Sequence, residues 1–434
     1  MLEKVVDARI ERHLVDNGLH EVLQSAYRRS HSTETALLKV QSDILESLDN
    51  GCVTVLVMLD LSAAFDTLDH GILLSRFENV FGISGPALKW IESYLADRYQ
   101  VVVIDGEHSK PVLLKYGVPQ GSVLGPKKYT MYAKPLGAII RRYGLSYHFY
   151  ADDTQLYISF KPKEDTVKAQ SLSLIENCLI DIEAWMRANM LKLNSDKTEV
   201  MLFTSKHNAF HMENTSVCVG DINITSVNSV RNLGVIFDSA MNMEQQVNSI
   251  CRSGYHQLRN IGHIRRYLTS DATKSLVNGL ITSRLDYCNA LLNGLPQISI
   301  NKLQRVHNTA ARIVTRTSRC SHMTPVLKDL HWLPVKYRVQ FKILMHTYKA
   351  LHEQAPRYIS DMLTVYQPKR ALRSMGSMTL VVPMVRTSSY GERKFQCSAA
   401  KLWNALPAHI RESKTLNIFK KLVKTHLFSN HFCA

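Results

Sequence analysis

The spacing of apolar residues along the chain changes from a helical period to strand-like runs and back. Residues 1–50 carry apolar positions at helical spacing around one loop, which predicts two amphipathic helices. The segment VTVLVMLDL at 53–61 is almost continuously apolar and rich in β-branched residues. This pattern predicts a buried strand that presents Asp60 at its carboxyl end. Helical spacing returns from about 69 to 98.

Two later segments have the pattern of β-hairpins. In the first, apolar runs flank an Asp-Gly dipeptide at 105–106, which favours a tight turn. In the second, at 147–158, the short runs YHFY and TQLYI are joined by Ala-Asp-Asp at 151–153, so two adjacent carboxylates are expected at or beside the turn. A helix is predicted over 168–190, and further strands in KTEVMLF, VCVGDINIT and NLGVIF.

The strand signal fades from about residue 243, and helical patterns such as INKLQRVHNTAARIV dominate the rest of the chain. A boundary is therefore predicted there. A second boundary is predicted at Pro368, because the Arg-, Ser- and Met-rich stretch after it is typical of an exposed linker. The predicted domains are residues 1–50, 51–242, 243–367 and 368–434.

Composition sets wide limits on this organisation. With 434 residues, 45% of them hydrophobic, the chain can bury one large core or the cores of two to three domains. No apolar run approaches the ~18–20 residues needed to cross a bilayer, so we expect a soluble, intracellular protein of the nucleus or cytoplasm, without a membrane partner. The eight cysteines are scattered singly, which predicts reduced thiols rather than a zinc site.

The positive charge of the chain is concentrated in one region. The formal net charge is +16, and residues 251–350 contain sixteen Lys or Arg against three Asp. Such a surplus favours a polyanionic partner, because each cation placed on a phosphate releases a condensed counterion. Solvated helix faces are the alternative interpretation of the same residues.

Three carboxylates acquire a chemical meaning when they are considered together. Asp60 at a strand end and Asp152-Asp153 at a turn are each common as solvated features. If the strand and the hairpin are neighbours, these groups could hold two divalent ions for a phosphoryl transfer. Mg²⁺ suits such a site, because a few carboxylates suffice when substrate phosphates and water complete its shell.

Five ordered blocks identify a family that this chain resembles. They are MLDLSAAFD, GVPQGSVLGP, FYADD, WMRANMLKLNSDKTEVMLF and VRNLGVIFD. In this order they resemble the polymerase motifs of reverse transcriptases from non-LTR, jockey-like or chicken-repeat-like, long interspersed retrotransposons. The resemblance implies an α+β fold: a right-hand polymerase palm with an antiparallel sheet backed by helices at 51–242, partial fingers at 1–50, a basic helical thumb at 243–367, and a C-terminal unit of unknown role.

The resemblance also implies roles for individual residues. Asp60, Asp152 and Asp153 would be the catalytic residues and the ligands of two Mg²⁺ ions. The residues implied in substrate binding are Leu61 through its carbonyl, Phe65 against the sugar, Gln120 and Gly121 near the template, Lys197 at the leaving pyrophosphate, and Arg28 at the triphosphate.

The function that follows from the resemblance is RNA-directed DNA synthesis. The implied partners are an RNA template, a DNA primer whose 3′-hydroxyl is extended, and deoxynucleoside triphosphates. A catalytically inactive remnant that only binds nucleic acid is the alternative. A polymerase of the group II intron or telomere type would share the palm carboxylates, but no extension specific to those classes is recognised.

Two departures from the family pattern affect these expectations. Family members carry a further fingers segment and an upstream endonuclease, so an N-terminally truncated copy is predicted. Lys127, Lys128 and Lys134 stand where the family has an apolar helix. A buried lysine is costly unless it is paired, so these side chains are expected either to turn outward to water or to weaken the palm.

Overall fold

The chain folds into two compact units in a computed structural model. The structure describes residues 1–62, 65–119, 121–205, 207–208, 216–220, 222–367 and 378–432. As far as these residues extend, the first unit comprises Met1–Arg29, Thr54–Leu202 and Phe210–Val227, and the second comprises Ser30–Val53, Phe203–Ala209 and Asn228–Ala434.

Helices form most of the second unit and flank the sheet of the first. In the part of the chain that the structure describes, they are α1 Leu2–Asp16, α2 Thr33–Asp49, α3 His70–Asn79, α4 Gly85–Leu95, α5 Gly125–Ala133, α6 Pro135–Arg142, α7 Asp165–Ala188, α8 Glu244–Ile264, α9 Ser270–Val277, α10 Ser283–Asp286, α11 Gln297–Thr315, α12 Met323–Asp329, α13 Val335–Leu351, α14 Arg357–Ser360, α15 Phe395–Asn404, α16 Ala408–Arg411 and α17 Leu416–Phe432. None of these described helices is both long and apolar enough to cross a bilayer.

The strands are short and mostly paired within hairpins. Among the described residues they are β1 Val53–Leu59, β2 Leu61–Ser62, β3 Tyr99–Gln100, β4 Val103–Ile104, β5 Glu107–His108, β6 Val112–Leu113, β7 Ser146–Tyr150, β8 Asp153–Phe160, β9 Lys192–Leu193, β10 Glu199–Phe203, β11 Ser216–Val219, β12 Ile222–Thr225, β13 Ser229–Asn232 and β14 Val235–Asp238.

The main sheet has the strand order β10-β1-β8-β7. Its inner strand β1 is buried at every position except Met58, as expected from its apolar sequence. Helices α6 and α7 pack against β7 and β8. The prediction of a mixed helix-and-sheet fold is therefore confirmed, and the helix predicted over 168–190 corresponds to α7.

Both predicted hairpins form. Strands β4 and β5 pair across Asp105 and Gly106, which both have positive φ, a conformation that favours Gly and tolerates Asp. Strands β7 and β8 pair antiparallel with Tyr150 opposite Asp153, which leaves only Ala151 and Asp152 in the turn. The two carboxylates therefore lie where the sequence predicts them.

The unexpected lysines of α5 are buried rather than solvated. Lys127 Nζ lies 2.7 Å from Asp7 Oδ1 and 2.8 Å from Glu11 Oε2, two carboxylates one turn apart on α1. Lys128 is 2% exposed, and its Nζ lies 3.6 Å from the centroid of the Tyr94 ring. For Lys127 and Lys128, outward turning is therefore wrong, whereas Lys134 is only half-buried, with its Nζ 5.0 Å from the centroid of the Phe81 ring. An acidic stripe on α1 compensates the first lysine within the fold.

The neighbouring lysine is compensated less completely. Among the described residues, Lys128 Nζ has no hydrogen-bond partner. Burial, together with the charge of Arg98, lowers the pKa of Lys128 to about 7, although Glu3 opposes this shift. The two adjacent lysines of α5 therefore have different surroundings. Lys127 forms ion pairs with two carboxylates, whereas Lys128 lies over an aromatic ring.

In the second unit the predicted boundaries do not coincide with the limits of compact packing. Helices α15 and α17, from the predicted C-terminal domain, pack on α13. Tyr348, Trp403 and Phe419 lie in one apolar cluster that these helices share, and each is fully buried. The predicted domain roles are not tested by this packing and stay predictions.

Candidate active site

Asp60 lies directly after β1, where the chain passes from one pairing to another. The carbonyl oxygen of Asp60 accepts a hydrogen bond from Asn194 N at 2.9 Å, and Leu61 then pairs with Leu193 in the β2–β9 ladder. This pairing brings the turn at 195–197 to the carboxylate, so that Lys197 Nζ lies 3.5 Å from Asp60 Oδ2. The sequence-predicted residues Asp60, Leu61 and Lys197 are therefore neighbours.

The topology of the sheet brings the β7–β8 turn to the same edge. Strands β1 and β8 are neighbours, and Thr54 near the start of β1 lies 2.8 Å from Ser159 near the end of β8, measured between their hydroxyl oxygens. Two strands joined in this way run in opposite directions, so the end of β1 lies beside the start of β8. Asp153, the first residue of β8, thereby faces the region of Asp60.

The turn itself is held by a residue from the N-terminal segment. The Gln24 side chain accepts a hydrogen bond from Ala151 N at 3.0 Å and donates one to Ala151 O at 3.1 Å. Ala151 has a φ of +57°, a conformation that costs energy for a residue with a Cβ. The amide of Gln24 satisfies both backbone groups of this strained residue and so fixes the position of the adjacent Asp152.

The three carboxylates repel one another. Burial and the charges of Asp152 and Asp60 raise the pKa of Asp153 to about 6. Burial also raises the pKa of Asp152, with a further contribution from the charge of Asp60. The neighbouring phenol of Tyr129 is also affected. Burial, and to a smaller extent the charges of Asp152 and Asp153, raises the pKa of Tyr129 well above its ordinary value. Like charges thus gather here, and the described part of the chain supplies no matching cluster of cations.

The donor set fits a hard divalent cation in an open site. Asp60 Oδ2 is buried and accepts no hydrogen bond among the described residues, with Lys197 as its nearby cation. No group of three or more His, Cys, Asp or Glu side chains encloses a metal position within the described part of the chain. A cation that keeps several water or substrate ligands needs only one or two carboxylates, so the open arrangement and the metal assignment are compatible.

A glycine loop lies against the segment that follows Asp60. Gly117 N donates to Leu68 O at 2.8 Å, and Val118 N donates to Phe65 O at 2.9 Å. Gly117 has a φ of +83°, and a Cβ there would lie 2.8 Å from the carbonyl oxygen of Asp66. Only glycine allows this approach of the two backbones.

Phe65 is positioned by this contact and by an aromatic neighbour. Its ring centroid lies 5.0 Å from that of Tyr129, with the ring planes at 38°. The Phe65 side chain remains half-buried. It is therefore fixed in place but still has an exposed edge.

The remaining predicted residues differ in what the structure says of them. Gly121 is exposed with a φ of +82°, and a Cβ there would meet no atom within 4 Å. Gln120 lies outside the described residues. Arg28 donates from Nη1 to Glu21 O and Gln24 O, each at 2.9 Å, which gives it a structural role in the N-terminal segment. Its contact with a triphosphate stays a prediction.

Two residues at the site were not anticipated from the sequence. Gln24 contacts a turn more than a hundred positions away, and a single glutamine in an irregular segment carries no pattern that indicates such a contact. Tyr129 lies one position after the unusual lysine pair of α5, and it is 1% exposed between Phe65 and the carboxylates. The feature of the sequence that could have indicated Tyr129 is an aromatic residue directly after two lysines in a helix.

The chain is similar to curated RNA-directed DNA polymerases of transposons and mobile elements. The chain is 23% identical over 390 residues to a probable RNA-directed DNA polymerase from transposon BS of Drosophila melanogaster, covering 85% of this chain and 41% of that protein. It is 22% identical over 345 residues to the RNA-directed DNA polymerase from mobile element jockey of Drosophila funebris, covering 76% and 36% respectively. The chain thus spans about two fifths of the length of these curated relatives.

A solved structure of telomerase from Candida albicans, in complex with a fragment of telomeric RNA, matches 78% of this chain and 55% of that chain. The identity is 12% and the TM-score 0.36, values too low to support a conclusion about the fold.

The family itself is assigned by the first half of the chain. Residues 1–237 match the family described as reverse transcriptase (RNA-dependent DNA polymerase). The matched residues include every predicted catalytic and substrate-binding position, and the relatives come from transposons and mobile elements, as the five sequence blocks predict. Members of this family generally use divalent metal ions. The chain therefore belongs to the reverse transcriptase (RNA-dependent DNA polymerase) family, in its non-LTR retrotransposon branch.

Proposed function

We propose that this chain catalyses RNA-directed DNA synthesis, adding deoxynucleotides to the 3′-hydroxyl of a primer on an RNA template. The observation that carries this proposal is the group of mutually repelling carboxylates at one edge of the main sheet. Burial and the charge of Asp60 raise the pKa of Asp152, and burial with the charges of Asp152 and Asp60 raises that of Asp153. Among the described residues no cation cluster matches these carboxylates, which is the electrostatic state of a site that binds divalent cations.

The reaction forms a bond between the primer 3′-oxygen and the α-phosphorus and breaks the bond to the leaving pyrophosphate. Two Mg²⁺ ions, when bound, would stabilise the attacking and the leaving oxygens. Asp60, Asp152 and Asp153 would hold these cations. Lys197 has a side chain that is 68% exposed and lies 3.5 Å from Asp60, so it can swing toward the pyrophosphate to neutralise or protonate it.

Phe65 and the glycine loop select and position the substrates in this proposal. Phe65 is braced by Tyr129 and presents its open edge to the sugar, where its volume excludes a 2′-hydroxyl. The loop from Gly117 to Gly121 lies under the templating base, with Gln120 next to the template. The carbonyl of Leu61 would be a further ligand of a bound metal ion, and Arg28 is the candidate for contact with the triphosphate.

The proposed architecture is that of a right-hand polymerase. The four-stranded main sheet with α6 and α7 supports the assignment of a palm. The N-terminal residues take the place of partial fingers, and the basic helices after residue 243 take the place of a thumb. The surplus of cations at 251–350 supports binding of an RNA–DNA duplex through its phosphates.

The deciding experiment is primer extension on poly(rA) annealed to oligo(dT), with Mg²⁺ and dTTP. The wild-type chain should extend the primer, and Asp152→Ala should reduce the rate at least ~100-fold while RNA affinity changes only a few fold. Asp165→Asn, an exposed carboxylate at the start of α7, serves as the matched control and should extend normally. Binding without extension by the wild type would support the inactive remnant, and full activity of Asp152→Ala would remove the metal-site assignment.

A further inference from the structure

The second unit contains a cavity that none of the proposed catalytic residues lines. Its volume is about 680 Å³, within the range of ~300–1,000 Å³ that is common for ligand pockets. The walls come from the start of α2, the segment around α10, and facing stretches of α13 and α17. The cavity is open to solvent on one side.

The charged side chains that line the cavity are strongly unbalanced. Two carboxylates, Glu34 and Asp286, face five lysines or arginines. These cations are spaced at helical intervals, so that one face of α13 and one face of α17 both direct positive charge into the same space. They are Arg338, Lys342, Lys349, Lys420 and Lys424.

Both carboxylates already form ion pairs or hydrogen bonds within the protein. Asp286 accepts from Arg338 Nε at 2.8 Å and also pairs with the second guanidinium nitrogen. Glu34 Oε2 lies 3.3 Å from Lys342 Nζ and 3.2 Å from His346 Nε2. Its other oxygen accepts from Ala290 N at 3.0 Å. No acidic group of the cavity therefore remains for a further cation.

Three lysines are left without a carboxylate among the described residues. Lys349 on α13 is half-buried, and Lys420 and Lys424 lie one turn apart on α17. Burial lowers the pKa of Lys349, and the charges of Lys420 and Lys342 lower it further. The folded chain thus holds like charges together at a cost that an anionic ligand would relieve.

Flat apolar surface accompanies these cations. The cavity is also lined by the rings of Phe341 and Tyr287 and by the side chains of Leu333 and Met345. The Tyr287 hydroxyl donates to Leu233 O at 2.7 Å, which fixes this ring at the cavity wall. Cations beside aromatic faces are the combination that binds single-stranded nucleic acid, with phosphates on the cations and bases on the rings.

We propose that this cavity is a binding site for single-stranded nucleic acid, in which Lys349, Lys420 and Lys424 hold phosphates and Phe341 or Tyr287 supports a base. None of the proposed metal-binding or substrate-binding residues lines this cavity, although Lys349 also belongs to the basic region 251–350. It gives the C-terminal helix α17 a function that the family assignment, which ends at residue 237, does not provide. An acidic peptide would use the cations but not the rings, so the aromatic wall favours a nucleotide.

The test is site-resolved lysine acylation of the wild-type chain, read by mass spectrometry. It is carried out in a metal chelator and without nucleotides, so that it does not depend on polymerase activity. At an octauridylate concentration of ten times the Kd, acylation of the three cavity lysines should slow by up to ~10-fold, the ratio expected from occupancy. Lys414 and Lys421, exposed lysines in the same part of the chain that do not line the cavity, should keep their reactivity.

The other probes decide which ligand the cavity takes. Uridine monophosphate and octaglutamate are tested at the same concentration as the oligonucleotide. Equal protection by uridine monophosphate would contradict binding of a single-stranded nucleic acid and indicate a site for a free nucleotide. Equal protection by octaglutamate would contradict a nucleic-acid site and indicate a cationic surface that binds any polyanion. The absence of protection by any probe would overturn the site.

A matched pair of variants provides a second readout. Lys420→Glu with Lys424→Glu should weaken binding of octauridylate and lower the slope of log affinity against log salt by ~0.7 for each lost contact. Lys414→Glu with Lys421→Glu changes the net charge equally and should leave the slope unchanged. Identical slopes in the two double variants would contradict the proposal. Because primer extension is measured separately, failure of this site and failure of the polymerase assignment are distinguishable.

Discussion

Two places in the first unit contain partly buried charges, and they differ in how far neighbouring side chains neutralise those charges. At the junction of α1 and α5, Lys127 is enclosed by the carboxylates of Asp7 and Glu11. At the edge of the main sheet, Asp152 and Asp153 lie near Asp60, and among the described residues the exposed Lys197 is the one cation paired with this group. Both places are partly removed from water, yet only the junction is neutralised by the protein.

The two places differ in the direction in which the pKa values of their carboxylates shift. Contact with His20, followed by the ion pair with Lys127, lowers the pKa of Glu11 to about 2. The pKa of Asp153 moves the other way, to about 6. A carboxylate with a lowered pKa contributes stability when ionised, whereas one with a raised pKa costs stability when ionised. The protein tolerates this cost where a cation from outside would remove it.

The largest effect on folding is expected from Lys127→Met, because this change leaves Asp7 and Glu11 facing each other without their cation. The free energy of unfolding should fall by ~1–3 kcal/mol, less than the ~3–5 kcal/mol of a fully buried pair because both carboxylates are partly exposed. Urea denaturation measures the change. Lys89→Met, at an exposed lysine of α4, is the control and should stay within ~0.5 kcal/mol. Equal losses in both variants would contradict the ion pair.

The next effect concerns competition between protons and metal at the sheet edge. Since the pKa of Asp153 is raised to about 6, the proton is bound below that pH and must leave before a cation enters. Mn²⁺ affinity should therefore be nearly constant above pH 7 and fall ~10-fold per pH unit below pH 6. Titration of the metal at several pH values measures this dependence. Asp153→Asn should bind Mn²⁺ more weakly, and its affinity should no longer fall below pH 6. If the fall in affinity stays unchanged in that variant, it belongs to another titrating group.

A further effect tests Phe65 as a specificity residue. Phe65→Val opens space beside the sugar, so the ratio of ribonucleotide to deoxynucleotide incorporation should rise at least ~10-fold. The ratio is measured as kcat/KM for the two sugars with the same base, which cancels any loss of folded protein. A fall in both rates with an unchanged ratio would show that Phe65 only packs against Tyr129.

The smallest effect is expected from Lys128→Met, and its sign should be opposite to that at the neighbouring lysine. The pKa of Lys128 is lowered to about 7, so the unfolded chain holds this proton over a pH range in which the folded chain does not. Wild-type stability should therefore rise between about pH 7 and pH 10, whereas removal of the cation gains up to ~1 kcal/mol at pH 7. Denaturation at both pH values checks this, and a loss of stability at pH 7 would contradict it.

The sequence predicted local features of the site well. The apolar run before Asp60 and the alternating runs around Asp152 placed all three carboxylates at strand or turn ends. The structure agrees within one or two residues, because β1 ends at Leu59 and β8 begins at Asp153. Such patterns depend on residues a few positions apart, so a single sequence contains them. The identity of the strands as neighbours came from the family resemblance rather than from the spacing.

The compensation of charge could not be predicted in the same way. The acidic positions on α1 are visible at one-turn spacing, but nothing in the spacing indicates that Lys127, 120 residues after Asp7, lies against them. The two unbalanced clusters likewise depend on tertiary contacts, because Lys349 and Lys420 approach each other only when α13 and α17 pack together. Long-range pairing of single side chains leaves no periodic signal.

The hydrogen bonds between Gln24 and Ala151 set a lower limit on any excised polymerase fragment. A fragment that begins after this residue would leave the N–H and the carbonyl of a strained turn without their partner, at ~1–3 kcal/mol for each lost group in a dry site. The turn could then relax to another geometry, and Asp152 would move with it. Through Gln24, the N-terminal segment therefore positions Asp152 without placing the Gln24 side chain among the three carboxylates.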